Sequence, residues 1–104
     1  MRYTIRRHPA VEDDLFETAS MISAYAGVKV GEAKTDEIVS FIATLADFPK
    51  IGTVRNDIYP GLRAIPASEK AVVCFTVDDQ TRTIHVICIS YAGADWVSRV
   101  RDRG

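Results

Sequence analysis

Two apolar runs, Ala71–Val77 and Arg82–Ser90, flank an acidic-polar turn and are rich in β-branched residues. Such a pair reads as a β-hairpin, and a hairpin this apolar needs a covering layer. With Asp79-Gln80 as a two-residue turn, Asp78 faces Thr81, Cys74 faces His85 and Cys88 faces Ala71. Val73, Phe75, Val77, Ile84 and Val86 then share one almost purely apolar face, predicted to pack on helices. Val72, Cys74, Thr76, Thr83, His85, Ile87 and Tyr91 share the other, which is mixed and suits a half-open groove. In this register the two thiols are on opposite faces and too far apart to bridge, so both are expected to stay reduced as small core residues.

The segments ahead of the hairpin can supply the covering layer. Arg2–Arg7 alternates, with Tyr3 and Ile5 on one side, and predicts an edge strand. His8-Pro9 ends it, and Glu12, Asp13 and Asp14 complement a helix N-terminus. Val11, Leu15, Thr18, Ile22 and Tyr25 recur at helical spacing until Gly27. A second helix is predicted from about Gly31 to Asp47, with Ile38, Phe41, Ile42 and Leu45 as its apolar stripe and Ala33 and Ala46 extending it. Phe48-Pro49 closes that helix. Residues 50–61 read as a loop broken by Gly52, Asn56-Asp57 and Pro60-Gly61, and Leu62–Pro66 as a brief strand. Asp95 to about Asp102 reads as a short helix or a tail, whose arginines Arg99, Arg101 and Arg103 are expected to be solvated. The prediction is a single domain over 1–104, α+β, in the order β-α-α-β-β-β. It is a two-layer sandwich with an antiparallel helical hairpin on a mainly antiparallel sheet, and the opposite sheet face is left for a partner.

With 104 residues the chain has room for one modest core. No segment approaches the about 18 uninterrupted apolar residues of a membrane span. The basic start has no apolar core behind it, which predicts a cytoplasmic protein. A net charge of −1 predicts no strong direct binding to nucleic acid. No glycine-rich phosphate loop, His-Glu-x-x-His run, paired-cysteine metal site or nucleophile elbow is present, so no metal or nucleotide cofactor is expected.

One set of residues has the right types for chemistry. Arg63, His85 and Tyr91 come from adjacent predicted strands. A nuclease working through a 2′-hydroxyl needs a base, a cation for the phosphorane charge and an acid for the leaving oxygen. Each residue also has an ordinary reading: Arg63 paired with Asp57 or Asp95, His85 packed and hydrogen-bonded, Tyr91 with ring buried and hydroxyl wet. Cys74 with His85 is a weaker nucleophile pair, because an apolar sheet does little to generate a thiolate.

The order of these punctuation marks resembles the ParE/RelE superfamily of small bacterial toxins over nearly the whole chain. The quoted matches are the turn Pro49-Lys50-Ile51-Gly52, the strand Gly61-Leu62-Arg63 and the run Cys88-Ile89-Ser90-Tyr91-Ala92-Gly93-Ala94-Asp95. Cys88 and Ala94 stand where many relatives have arginine. RelE-type ribonucleases rely on a cluster of Lys and Arg, of which this sheet supplies chiefly Arg63. The resemblance therefore implies the ParE branch: a toxin of a type II toxin–antitoxin (plasmid stabilisation) system that inhibits DNA gyrase and is neutralised by a cognate antitoxin. The alternatives are a RelE-type mRNA endonuclease using Arg63, His85 and Tyr91, and a non-toxic interaction module with the same fold.

Overall fold

The computed structural model describes residues 2–68, 70–93 and 95–104. Its elements run β1 (Thr4–Arg7), α1 (Val11–Ala26), α2 (Val28–Thr44), β2 (Thr53–Val54), β3 (Arg63–Pro66), β4 (Ala71–Asp78), β5 (Thr83–Tyr91) and α3 (Trp96–Arg103). The sheet order is β1-β5-β4-β3-β2. β1 lies parallel to β5, and the other pairs are antiparallel. The expected α+β sandwich is present, with β2 formed inside the segment read as loop.

The helical hairpin turns on one residue. Gly27 has φ 96°, a backbone conformation that glycine enters at little cost, and its N–H donates to Ser23 O at 3.0 Å. α2 therefore starts at Val28, earlier than predicted, and Gly31 lies inside it. A Cβ on Gly31 would meet Ala19 O at 2.8 Å, so the missing side chain lets the two helices approach closely. Ile38, Ile42, Leu45 and Ala46 are buried, whereas Phe41 is half-buried and Ala33 exposed.

The hairpin register differs from the prediction in two ways. Asp78 Oδ1 accepts from the N–H groups of Gln80 and Thr81 at 2.9 and 3.2 Å, closing a longer loop over Asp79–Arg82. Asp78 thus faces Thr83. Further along, Cys74 faces Cys88 while Phe75 faces Val86, so Ile87 is an extra residue, a β-bulge. Cys74 and Cys88 are direct cross-strand partners, contrary to the expected separation, and both are free thiols. The bulge also reverses the side-chain alternation. Ile87 and Cys88 both join the face away from the helical hairpin, and Ile89 and Tyr91 move to the helix side.

The helix-side core gathers Val11, Leu15, Ile22, Ile38, Ile42, Val73, Phe75, Ile84 and Val86 among its members. A second, smaller cluster of Leu62, Cys74, Ile87, Cys88 and Val100 lies on the opposite face. That face, read from the sequence as a half-open groove left for a partner, is covered at this point by α3. The loop before β3 helps: Arg55 pairs with Asp57 and stacks over Trp96, its guanidinium carbon 5.6 Å from the ring centre.

α3 is fixed by a buried carboxylate. β1 leaves β5 after His8 N–H donates to Val86 O, which exposes the β5 edge beyond. Asp14 of α1, 3% exposed, takes up that edge by accepting from Ile89 N–H at 3.0 Å. Arg103 and Arg99 bind Asp14 at 2.6 and 3.1 Å and donate to Ile87 O and Ile89 O. Arg99 also reaches Glu17. Two of the tail arginines expected in solvent are therefore structural.

Phe75→Ala is expected to cost on the order of 3–5 kcal/mol, and Phe41→Ala about 1–2 kcal/mol because its ring is only half-buried. Denaturant titration measures both, and equal losses would contradict this packing. Asp14→Ala leaves two guanidinium groups and a sheet N–H without their acceptor, an expected loss of about 3–5 kcal/mol. That loss should persist at high salt, since buried pairs are weakly screened.

Candidate functional site

The three residues singled out for chemistry are carried by adjacent strands but do not converge. Arg63 faces Phe75, which faces Val86, so it shares the helix-side face. It is half-buried, and its guanidinium donates weakly to Ile51 O at 3.5 Å. It does not pair with Asp57, which binds Arg55, or with Asp95. Asp95 caps α3, accepting from Ser98 N–H at 3.1 Å and from the Ser98 hydroxyl at 2.7 Å, and these bonds hold its carboxyl below the usual range.

His85 is exposed on the opposite face, with Thr76 and Arg6 as its cross-strand neighbours. It lines a cleft of about 350 Å³ with His8, Tyr59 and Arg103. His8 Nδ1 accepts from Ala10 N–H at 3.1 Å, and Arg103 is committed to Asp14. Cys74 faces Cys88 rather than His85, which removes the Cys–His pair.

Tyr91 ends β5 on the helix side, 8% exposed, and its hydroxyl is hydrogen-bonded to that of Tyr25. With Ile22, Val30, Lys34, Ser68 and Lys70 these two rings line a cavity of about 260 Å³. Of its lining residues Tyr25 (67%) and Val30 are exposed, and nearby in sequence on the helical hairpin Met21 and Val28 (64%) are exposed too. This apolar and hydrogen-bonding surface was missed in the sequence. The helical spacing groups Tyr25 with Val11, Leu15 and Ile22 on one face, and its pairing with Tyr91 depends on the bulge at Ile87. Lys34 pairs with Glu37 at 3.3 Å. Among the described residues, neither His85 nor a carboxylate lines this cavity. Among the described residues no group of three or more His, Cys, Asp or Glu side chains is placed to hold a metal ion.

A family model described as the ParE toxin of the type II toxin–antitoxin system, parDE, matches residues 5–96. The chain belongs to the ParE toxin family. Solved structures share its fold at low identity. A chain of the chromosomal ParDE system of P. aeruginosa has TM-score 0.73 at 16% identity, over 86% of this chain and 96% of that one. A chain of the RelBE2 toxin–antitoxin complex of Mycobacterium tuberculosis has TM-score 0.67 at 16% identity, over 88% and 99%. A free double mutant of the E. coli toxin RelE has TM-score 0.69 at 17% identity, over 99% and 98%. A comparison with curated proteins gives no match.

In this ParE-family chain Cys88, where the sequence resemblance leads one to expect arginine, is fully buried under α3. Ala94, the other such position, lies outside the described residues. Tyr91→Phe removes one hydroxyl whose partner, Tyr25, can turn to water, so a stability loss of about 0.5–1.5 kcal/mol is expected, with toxicity retained. A general acid–base role would instead cost roughly 100-fold or more in activity. Growth arrest on induction, compared between wild type and variant, distinguishes the two.

Proposed function

We propose that this ParE-family chain is the toxin half of a type II toxin–antitoxin pair, acts in the cytoplasm by inhibiting DNA gyrase, and is neutralised by a cognate antitoxin. The observation that carries the gyrase reading is the separation of Arg63, His85 and Tyr91. A phosphorane needs its cation and its proton donors around one atom. Here His85 is on the far face of the sheet from the other two. Arg63 is directed to Ile51 O, and Tyr91 to Tyr25. A toxin that binds a topoisomerase needs no covalent step of its own, only a surface. The match to the ParE model supports the same branch.

The antitoxin in this reading is a segment disordered when free, which folds as it buries apolar anchors. The exposed turn of the helical hairpin, with Met21, Tyr25, Val28 and Val30, offers such anchors a place. The similar chains from P. aeruginosa and M. tuberculosis are described as members of toxin–antitoxin systems.

Purified protein should inhibit supercoiling by gyrase or accumulate cleaved complexes. Expression without antitoxin should induce the DNA-damage response while bulk translation initially continues. Early translational arrest with cuts in translated mRNA would instead identify a RelE-type endonuclease. Co-expression with the adjacent small reading frame should yield a stable complex. No association by titration calorimetry at micromolar concentration would refute that pairing.

A further inference from the structure

The bulge at Ile87 makes Cys74 and Cys88 direct partners across the two longest strands. Both thiols are free and both are fully buried. Directly opposed residues of an antiparallel pair have Cα atoms about 4.5–5.5 Å apart, within the range a disulfide spans. The pair is surrounded by Leu62, Ile87 and Val100, and Cys88 Sγ lies 3.9 Å from Trp96 O on α3. Two small thiols face to face under a short helix fill this second core and bring a chemistry that alanines lack.

We propose that Cys74 and Cys88 form an oxidation site in which a hydroperoxide converts the facing thiols into a cross-strand disulfide beneath α3. The roles of the two sulfurs differ. Cys88 is the one whose thiolate is favoured, by the facing Cys74 thiol and by the nearby Arg103 and Arg99 guanidinium groups, against the opposing effects of burial and the Asp14 charge. Cys74 is held in its protonated form by the same contact and by burial. The Cys88 thiolate attacks one peroxide oxygen, the O–O bond breaks, and hydroxide leaves, giving a sulfenic acid at Cys88. The Cys74 sulfur then attacks the Cys88 sulfur, the S–O bond breaks, and the oxygen leaves as water with the thiol proton. In balance, the two thiols lose two protons and two electrons, and one hydrogen peroxide is reduced to two waters. In a reducing compartment the pair stays open and closes only under oxidative load. Closure removes the Cys88 thiol proton, and with it the contact to Trp96 O on α3.

The full-length protein is treated with hydrogen peroxide, unfolded in alkylating reagent and weighed intact. The expected product is a monomer lighter by two hydrogens, with neither thiol alkylated, restored by dithiothreitol. Its melting midpoint should be raised by about 5–15 °C, as expected for closing a loop of this length. Trp96 is the only tryptophan, so its fluorescence should change at the rate of the mass loss. In Cys74→Ala the mass loss and the fluorescence change should both be absent, with Cys88 trapped by a sulfenic-acid reagent instead. Thiols that remain fully alkylatable in the oxidised wild type, gain of oxygen without loss of hydrogen, cross-links between copies, or a lowered midpoint would each overturn the proposal. Disulfide formation with unchanged Trp96 fluorescence would overturn its coupling to α3.

Discussion

Asp14 joins three parts of the chain that are far apart in sequence. Its carboxylate accepts from the Ile89 N–H of β5 and from the guanidinium groups of Arg99 and Arg103 on α3, while its own backbone belongs to α1. A carboxylate at 3% exposure is tolerable only because every bond it lost to water is replaced, and here the replacements carry charge. The two arginines in turn donate to Ile87 O and Ile89 O, so the β5 edge is completed by side chains where β1 has departed. Without this group α3 would be held by its small apolar cluster and the Arg55–Trp96 stack, and two buried guanidinium groups would lose their acceptor.

The bulge at Ile87 is the second constraint, and it acts on the same few residues. By inserting one residue it places Ile87 and Cys88 together under α3 and moves Ile89 and Tyr91 to the helix side. The edge that Asp14 and the arginines complete lies at this irregularity, as β-bulges tend to mark where pairing ends. The surface around Tyr91 and Tyr25 follows from it too. A regular strand would have put Tyr91 on the same face as His85, though about 20 Å along the strand from it. The observed strand puts it against the helical hairpin.

The relation to the ParE family fits this division of the molecule. What resembles the family in sequence is the punctuation: the turn at Pro49–Gly52, the strand after Gly61, and the run ending in Asp95. These residues set where elements start and stop. Gly61 has φ 76°, and Gly52 has φ 88° with Ala64 O only 2.8 Å from where a Cβ would be, so both positions need glycine. Asp95 caps α3.

By itself the sequence determined the class of fold, the helical hairpin and the apolar face that covers it. Those follow from period and punctuation, which neighbouring residues encode. Val11, Leu15 and Ile22, like Val73, Phe75, Ile84 and Val86, are buried where their spacing predicted. Only the tertiary structure decided the hairpin register, the second core and the dispersal of Arg63, His85 and Tyr91. A two-residue change in a turn and one bulged residue leave composition and periodicity almost unchanged, yet they reassign every later side chain to a partner or a face. Asp14 and Arg103 were equally illegible. On a helix wheel an acid near the start and a base near the end look solvated, and only a strand edge lying between them makes burial favourable.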